Sequence, residues 1–172
     1  MTKISGHYTH VDGLPAVRFE RTFPHPVEAV WEAITDPDQL EQWFPTTVEF
    51  SDLEAGAPIT FRFAEDAYPP MSGEVRELRP RERLVFTWGD DELTFELEEC
   101  EGGKACRLAF SVVLESEGKA ARDSAGWDSC LDMLDRVVAG QPPERPASSD
   151  NWRAYYEEYK RRGLPASAPI PQ

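Results

Sequence analysis

The sequence has few cysteines and no long run of apolar residues. Its three cysteines are an odd number and include no Cys-x-x-Cys pair, so neither a disulfide framework nor a zinc site is indicated. No segment of about 20 apolar residues is present that could span a membrane, and no apolar core of a signal peptide is found. These absences predict a protein of the reducing cytoplasm.

Positive charge is also scarce. The chain has 18 Lys and Arg residues against 32 Asp and Glu, for a formal net charge of −14. Such a charge repels phosphate groups, so we expect neither nucleic acid nor a membrane surface as a partner. The sequence further lacks a Gly-rich phosphate loop, a Gly-x-Ser-x-Gly elbow and a Cys/His dyad, and it therefore predicts no catalytic residue, metal or cofactor.

The residue pattern of the N-terminal part of the chain predicts one strand and two short helices. Alternating apolar residues predict a first strand over 16–23, and the histidines before it, His7 and His10, are interpreted as loop or tail residues. A short amphipathic helix follows Pro26. Asp36 then has the position of an N-cap, because a proline comes next, and it predicts a second short helix.

The middle of the chain has the two-residue period of β-strands. Strand candidates lie at 47–51, 58–64, 71–79, 83–88, 92–100 and 105–114.

Two of these strands can be paired by counting residues outward from the turn that joins them. The glycine pair at 102–103 is typical of a two-residue hairpin turn, which makes Phe95 face Phe110. The same register places Cys100 and Cys106 on opposite faces, so no disulfide is expected between them.

The strand at 71–79 has an irregular pattern. Val75 and Leu78 have opposite parity, which indicates a β-bulge or an early strand end. Glu77 is the one carboxylate considered for acid–base chemistry, since burial in a cavity would raise its pKa. It shares the face of Val75 only if no bulge intervenes. Asp91, at the end of the next strand, is interpreted as a solvated residue.

Apolar residues from Ala120 to Val138 recur at helical spacing and predict a helix of about five turns with one buried face, from which Asp128 is displaced. We place one domain at 1–140. A Pro-rich linker at 141–150 and a C-terminal helical extension and tail at 151–172 follow.

The extension has an aromatic stripe. Its four large side chains must be buried on something, either their own domain or a second copy, so the chain is expected to be a monomer or a homodimer. Docking on the same domain is favoured. The stripe consists of Trp152, Tyr155, Tyr156 and Tyr159.

This order of elements predicts an α+β fold, in which a curved antiparallel sheet wraps around a long C-terminal helix. Large side chains on the inward faces are the predicted ligand-binding residues, and Trp88 and Trp127 are expected to border one apolar space. A packed core without a cavity would use the same residues. Gly126 in the helix indicates close approach of a side chain, a ligand or the sheet. The predicted ligand-binding residues are Phe61, Phe63, Phe86, Trp88, Phe95, Phe110, Trp127 and Leu131.

Several short motifs resemble one known family. They are Val30-Trp31, Asp36-Pro37, Gln42-Trp43-Phe44, Gly73, Arg83-Leu84-Val85-Phe86-Thr87-Trp88 and Gly126-Trp127 with Leu131 and Leu134. Their order over roughly residues 16–140 is similar to that of the activator of heat-shock-protein-90 ATPase homologue-like family, in the START-like (SRPBCC) superfamily. The resemblance implies a helix-grip fold with two short helices after the first strand, and a hydrophobic cavity between helix and sheet.

The resemblance brings no catalytic residue with it. We therefore expect a protein that binds a hydrophobic small molecule without catalysis. One alternative is a lyase or cyclase that acts on an aromatic or polyketide-like substrate. A second, less favoured alternative is stimulation of a chaperone ATPase, which the name of the family suggests.

Overall fold

A computed structural model of the protein describes residues 5–142 and 150–169. These residues form four α-helices and one antiparallel sheet whose eight strands follow the order β1-β2-β8-β7-β6-β5-β4-β3. The strands are β1 (Gly6–Val11), β2 (Leu14–Phe23), β3 (Thr47–Phe50), β4 (Pro58–Arg62), β5 (Met71–Arg79), β6 (Arg83–Trp88), β7 (Asp91–Cys100) and β8 (Ala105–Val113). The helices are α1 (Val27–Thr35), α2 (Pro37–Trp43), α3 (Ala120–Val138) and α4 (Asp150–Arg161).

The predicted α+β helix-grip architecture is confirmed. The sheet is open and curves around α3, whose buried Leu131 and Leu134 belong to one hydrophobic core with the inward residues of the strands. The two short helices follow β2, and Asp36 caps α2 by accepting a hydrogen bond from the Asp38 N–H at 3.3 Å.

Strand β1 differs from the prediction. His7 and His10 lie in this strand rather than in a loop or tail, opposite Arg18 and Pro15 of β2. A tight turn at residues 12–13, both with positive φ, joins the two strands. The pairing gives β1 its backbone hydrogen bonds without an apolar pattern of its own.

The predicted hairpin register is confirmed. Phe95 lies opposite Phe110 in the β7–β8 pair. At the turn, Gly102 and Gly103 adopt φ values of 65° and 92°, which a glycine tolerates without strain. Cys106 is buried while Cys100 on the other face is half-buried, and the two are not joined by a disulfide.

Strand β5 contains a bulge at Arg76. Val75 lies opposite Phe86, but Glu77 lies opposite Val85, so one extra residue separates the two pairs. Because neighbours on β6 point to opposite faces, the bulge turns Glu77 away from the core. Its carboxylate lies 2.8 Å from Arg83 Nε on the outer face. Glu77 is therefore excluded as a cavity acid.

Strand β4 is shorter than predicted. It ends at Arg62 instead of residue 64, and a short 3-10 turn at Ala64–Asp66 follows, with Glu65 at a φ of 54°. Phe63 consequently leaves the sheet before its side chain can join the inward row.

Helix α3 is buried on two sides. One side faces the sheet, as predicted, and the other packs against α4, whose Tyr155, Tyr156 and Tyr159 are all less than a tenth exposed. The sequence pattern places Asp128 off the buried stripe, but this residue is fully buried because Tyr159 of α4 covers it. Most of the predicted linker, 143–149, lies outside the described residues, and the domain division at 140 stays a prediction.

Candidate functional site

A cleft of about 500 Å³ opens between α3, the turn after β6 and the start of α4. Its walls are mostly apolar and one end is charged. The residues that matter most for its chemistry are Met71, Trp88, Asp91, Lys119, Trp127 and Trp152.

Two tryptophans form one wall of the cleft. Trp88, the last residue of β6, and Trp127, on the sheet-facing side of α3, meet edge to face with ring centroids 6.2 Å apart. Trp127 also packs against Phe110 of the core at 5.1 Å. These contacts hold both indoles in place, so the wall is formed without a ligand.

Trp152 of α4 lines the cleft as a third tryptophan. It stacks on Tyr156, one helical turn away, with ring centroids 5.0 Å apart and an angle of 10° between the planes. The sequence places Trp152 in the aromatic stripe of the extension and does not predict it as a site residue. No local signal could have found it, since its position depends on how α4 packs on α3.

Gly126 lies at the point where α3 approaches Trp152. A Cβ at this position would lie 3.8 Å from Trp152 Nε1. Apart from the neighbouring residues of α3, no other atom would lie within 4 Å of it. The glycine therefore leaves room on the cleft side of α3 rather than towards the sheet. Because 3.8 Å is an ordinary contact distance, a methyl group would fit here, and neither a side chain nor the sheet approaches closely enough to require the glycine.

The charged end of the cleft contains a buried ion pair. Lys119 Nζ donates to both carboxylate oxygens of Asp91 at 2.9 Å, and the backbone N–H of Glu115 donates to Oδ1 at 2.8 Å. Asp91 is only 4% exposed, so the interpretation as a solvated residue is wrong. The strand order explains this, because β7 starts beside the segment between β8 and α3.

A second ion pair lies on the first turn of α3. Arg122 Nε donates to Asp123 Oδ1 at 2.9 Å. Burial raises the pKa of Asp123, although the positive charges of Arg122 and Lys119 oppose the change. Lys119 and Arg122 are thus both paired, while the exposed Asp90 adds one more negative charge to the lining, so neither cation of the cleft is left free to bind an anionic ligand.

Five of the predicted ligand-binding residues do not line the cleft. They are fully buried and pack with one another, as in the stack of Phe95 on Phe110 at 4.6 Å between centroids. Phe63, which follows the last residue of β4, is half-buried, and its ring centroid lies 6.4 Å from that of Trp88. A ligand-binding role for these residues stays a prediction. The five core residues are Phe61, Phe86, Phe95, Phe110 and Leu131.

Within residues 5–142 and 150–169, no three His, Cys, Asp or Glu side chains are grouped so as to hold a metal ion. Across the same residues, every helix is too short or too polar to cross a membrane.

The fold and part of the sequence are similar to known proteins. The model of the family described as Activator of Hsp90 ATPase homolog 1-like protein matches residues 24–139, which run from the segment before α1 to the end of α3. No curated protein matches the chain significantly.

Several solved structures share the fold. EF2215, a conserved protein of unknown function from Enterococcus faecalis, is 21% identical with a TM-score of 0.72, and the match covers 91% of each chain. CalU16 from Micromonospora echinospora is 22% identical with a TM-score of 0.71, over 93% of this chain and 96% of CalU16. DynU16, described as a protein in the dynemicin biosynthetic locus, is 27% identical with a TM-score of 0.62, over 76% of this chain and 49% of DynU16.

Proposed function

The chain belongs to the activator of Hsp90 ATPase homolog 1-like family, and from that premise we propose that it binds a hydrophobic small molecule in the cleft beside Trp88 and Trp127. The observation that carries the proposal is the pair of indoles that line one open space. Trp127 is only 5% exposed, so Trp88 presents most of the solvent-accessible indole surface of this pair, and an apolar ligand would remove that surface from water.

The size and the rigidity of the cleft support this function. A volume of about 500 Å³ falls in the range of small-molecule sites. Trp127 is held by the core ring of Phe110, so binding would require little ordering of the wall.

A second candidate is an enzyme of the lyase or cyclase type. One observation favours it, since Asp123 adjoins the cleft and burial raises the pKa of its carboxyl. A raised pKa makes a carboxyl better suited to general acid–base catalysis. DynU16, to which the chain is similar, is described as a protein of a biosynthetic locus, a description that fits an enzyme but names no substrate.

Binding can be tested with a neutral fluorescent probe, N-phenyl-1-naphthylamine. We expect the purified protein to enhance the fluorescence of the probe with saturation. Gly126→Leu should abolish this signal, because the larger side chain would fill the cleft. Gly126→Ala, whose single methyl group would keep the space largely open, is the matched control.

Native mass spectrometry of the freshly purified protein would then show whether an apolar molecule is carried along from the cell. A probe signal that persists at full strength in folded Gly126→Leu would contradict binding in this cleft. For the enzyme, Asp123→Asn should abolish turnover of a candidate substrate while probe binding remains.

A further inference from the structure

The C-terminal extension contributes a wall to the cleft. Residues 150–169 lie beyond the part of the chain that matches the family model, which ends at residue 139. Trp152, from the first turn of α4, nevertheless lines the same space as Trp88 and Trp127. The cleft is therefore incomplete without the extension.

We propose that Trp152 is a specificity-determining residue, and that it makes the cleft selective for a neutral, planar aromatic molecule. This inference rests on the proposed binding function. It adds to that function the chemical class of the ligand and a role for the extension.

The preference for a planar ring follows from the three indoles. Trp152 is held by its near-parallel stack on Tyr156, at an angle of 10°. Trp88 and Trp127 are held edge to face with each other. Aromatic rings gain from offset-stacked or edge-to-face contacts beyond what their buried area provides, and an aliphatic chain of similar size does not.

The preference for a neutral ligand follows from the charged end of the cleft. Lys119 is paired with Asp91 and Arg122 with Asp123, and the exposed Asp90 adds one further negative charge that disfavours an anionic ligand. A ligand that carried a charge would be desolvated beside ion pairs that are already satisfied. A hydroxyl or carbonyl group would instead gain a hydrogen bond at little cost.

The extension is anchored by contacts that do not involve Trp152, so the wall that it contributes to the cleft is held in place. Tyr159, two turns further along α4, is fully buried and bonded to Asp128 of α3. Beyond α4, the carbonyl oxygen of Pro165 accepts a hydrogen bond from the Ala121 N–H at 2.9 Å, and the Ala168 N–H donates to Gly118 at 3.1 Å. Replacement of Trp152 should therefore leave α4 in place.

The test is a competition experiment on the full chain. Bound N-phenyl-1-naphthylamine is displaced with 1-naphthol or with 1-decanol, two neutral alcohols of which only the first has a planar ring system. We expect the wild type to prefer 1-naphthol, and Trp152→Leu to bind it about tenfold more weakly while 1-decanol changes little. Trp152→Phe should keep most of the preference. Arg153→Ala, an exposed change on the same helix, is the control.

The charge preference is tested by measuring the affinity for 1-anilinonaphthalene-8-sulfonate, which has the same rings as the probe and adds a sulfonate. It should bind more weakly than the neutral probe. An unchanged preference for 1-naphthol in Trp152→Leu would overturn the role of Trp152, and equal or tighter binding of the sulfonate would overturn the neutral ligand class. Absence of probe binding to the wild type would overturn the proposed function itself, and this inference with it.

Discussion

The hydroxyl group of Tyr159 on α4 donates a hydrogen bond to the buried carboxylate of Asp128 on α3. The same hydroxyl accepts a hydrogen bond from the backbone N–H of Gly6 at 2.7 Å, and Arg21 of β2 lies 3.1 Å from the other carboxylate oxygen. One buried carboxylate thus joins α3 to both ends of the described chain. A carboxylate can be fully buried in this way only because it is paired and hydrogen-bonded.

Removal of the Tyr159 hydroxyl should destabilise the protein. Tyr159→Phe would leave the Gly6 N–H without its acceptor and Asp128 with one donor fewer, so we expect a loss of about 1–3 kcal/mol in the free energy of unfolding, measured in urea. Tyr156→Phe, which keeps the ring stacked on Trp152, is the control and should have a smaller effect. Equal losses in both variants would contradict a special role for the buried bond.

The tyrosines on α4 should make the protein sensitive to alkali. Burial, followed by the negative charge of Asp128, raises the pKa of Tyr159, and burial with a hydrogen bond to Asp132 raises that of Tyr155. The unfolded chain releases these protons first, from about pH 10 upwards. Their contribution to stability is therefore complete below pH 10 and is lost as the pH rises above it.

This pH dependence can be measured as the urea midpoint between about pH 8 and 11. The double variant Tyr155→Phe/Tyr159→Phe starts from lower stability but should lose less of it over this range than the wild type. Cys106, whose pKa burial raises to about 11, changes stability in the same direction and remains in both proteins. Only the difference between the two proteins in how steeply the urea midpoint falls with pH is thus informative. If the midpoints fall in parallel, the two tyrosines are not the source of the sensitivity to alkali.

Gly126→Ala should stabilise the protein. Alanine is favoured over glycine inside a helix by about 1 kcal/mol, and the new Cβ would lie at an ordinary contact distance of 3.8 Å from Trp152 Nε1. We expect a higher melting temperature. Gly73→Ala gives the contrast, since its Cβ would lie 2.4 Å from the backbone oxygen of Thr87 and should destabilise β5. A lower melting temperature for Gly126→Ala would show that the room beside Trp152 is needed for the fold.

Truncation after Gly140 should destabilise the domain. It would expose the side of α3 on which three tyrosines are buried, and would leave Asp128 without Tyr159, so the melting temperature should fall by roughly 10 °C or more. Truncation after Gly163, which keeps α4, is the control and should have a smaller effect.

Size-exclusion chromatography completes the truncation experiment. A monomer that loses stability supports docking of α4 within one chain. Conversion of a dimer into a monomer would instead support exchange between two copies. A truncated protein of unchanged size, stability and probe binding would contradict the packing of α4 described above.

Much of the fold could be predicted because its signals are local. The register of β7 and β8 was correct since the turn at 102–103 determines which residues face one another. The helical period from Ala120 to Val138 likewise identified α3 and its sheet-facing side. In each case the residues that carry the signal are neighbours in the sequence.

The missed elements had weaker local signals. Strand β1 has little apolar alternation, and only the Asp12–Gly13 pair, a common hairpin dipeptide, could have indicated it. The sequence leaves the orientation of Glu77 open, because a strand pattern of mixed parity does not show which residue is extra. The partner strand decided it.

The candidate site was only partly accessible for the same reason. Sequence alone determined that Trp88 and Trp127 belong to inward-facing positions, because strand and helix periods report which side of an element is apolar. Tertiary structure alone decided that Trp152 joins them, that Asp91 and Asp128 are buried, and that five other inward residues pack as core. The position of Trp152 and the burial of Asp128 depend on the helix that covers the second side of α3, and periodicity along one segment contains no information about a covering helix that lies elsewhere in the chain. The burial of Asp91 depends on the strand order, which places the start of β7 beside the segment between β8 and α3.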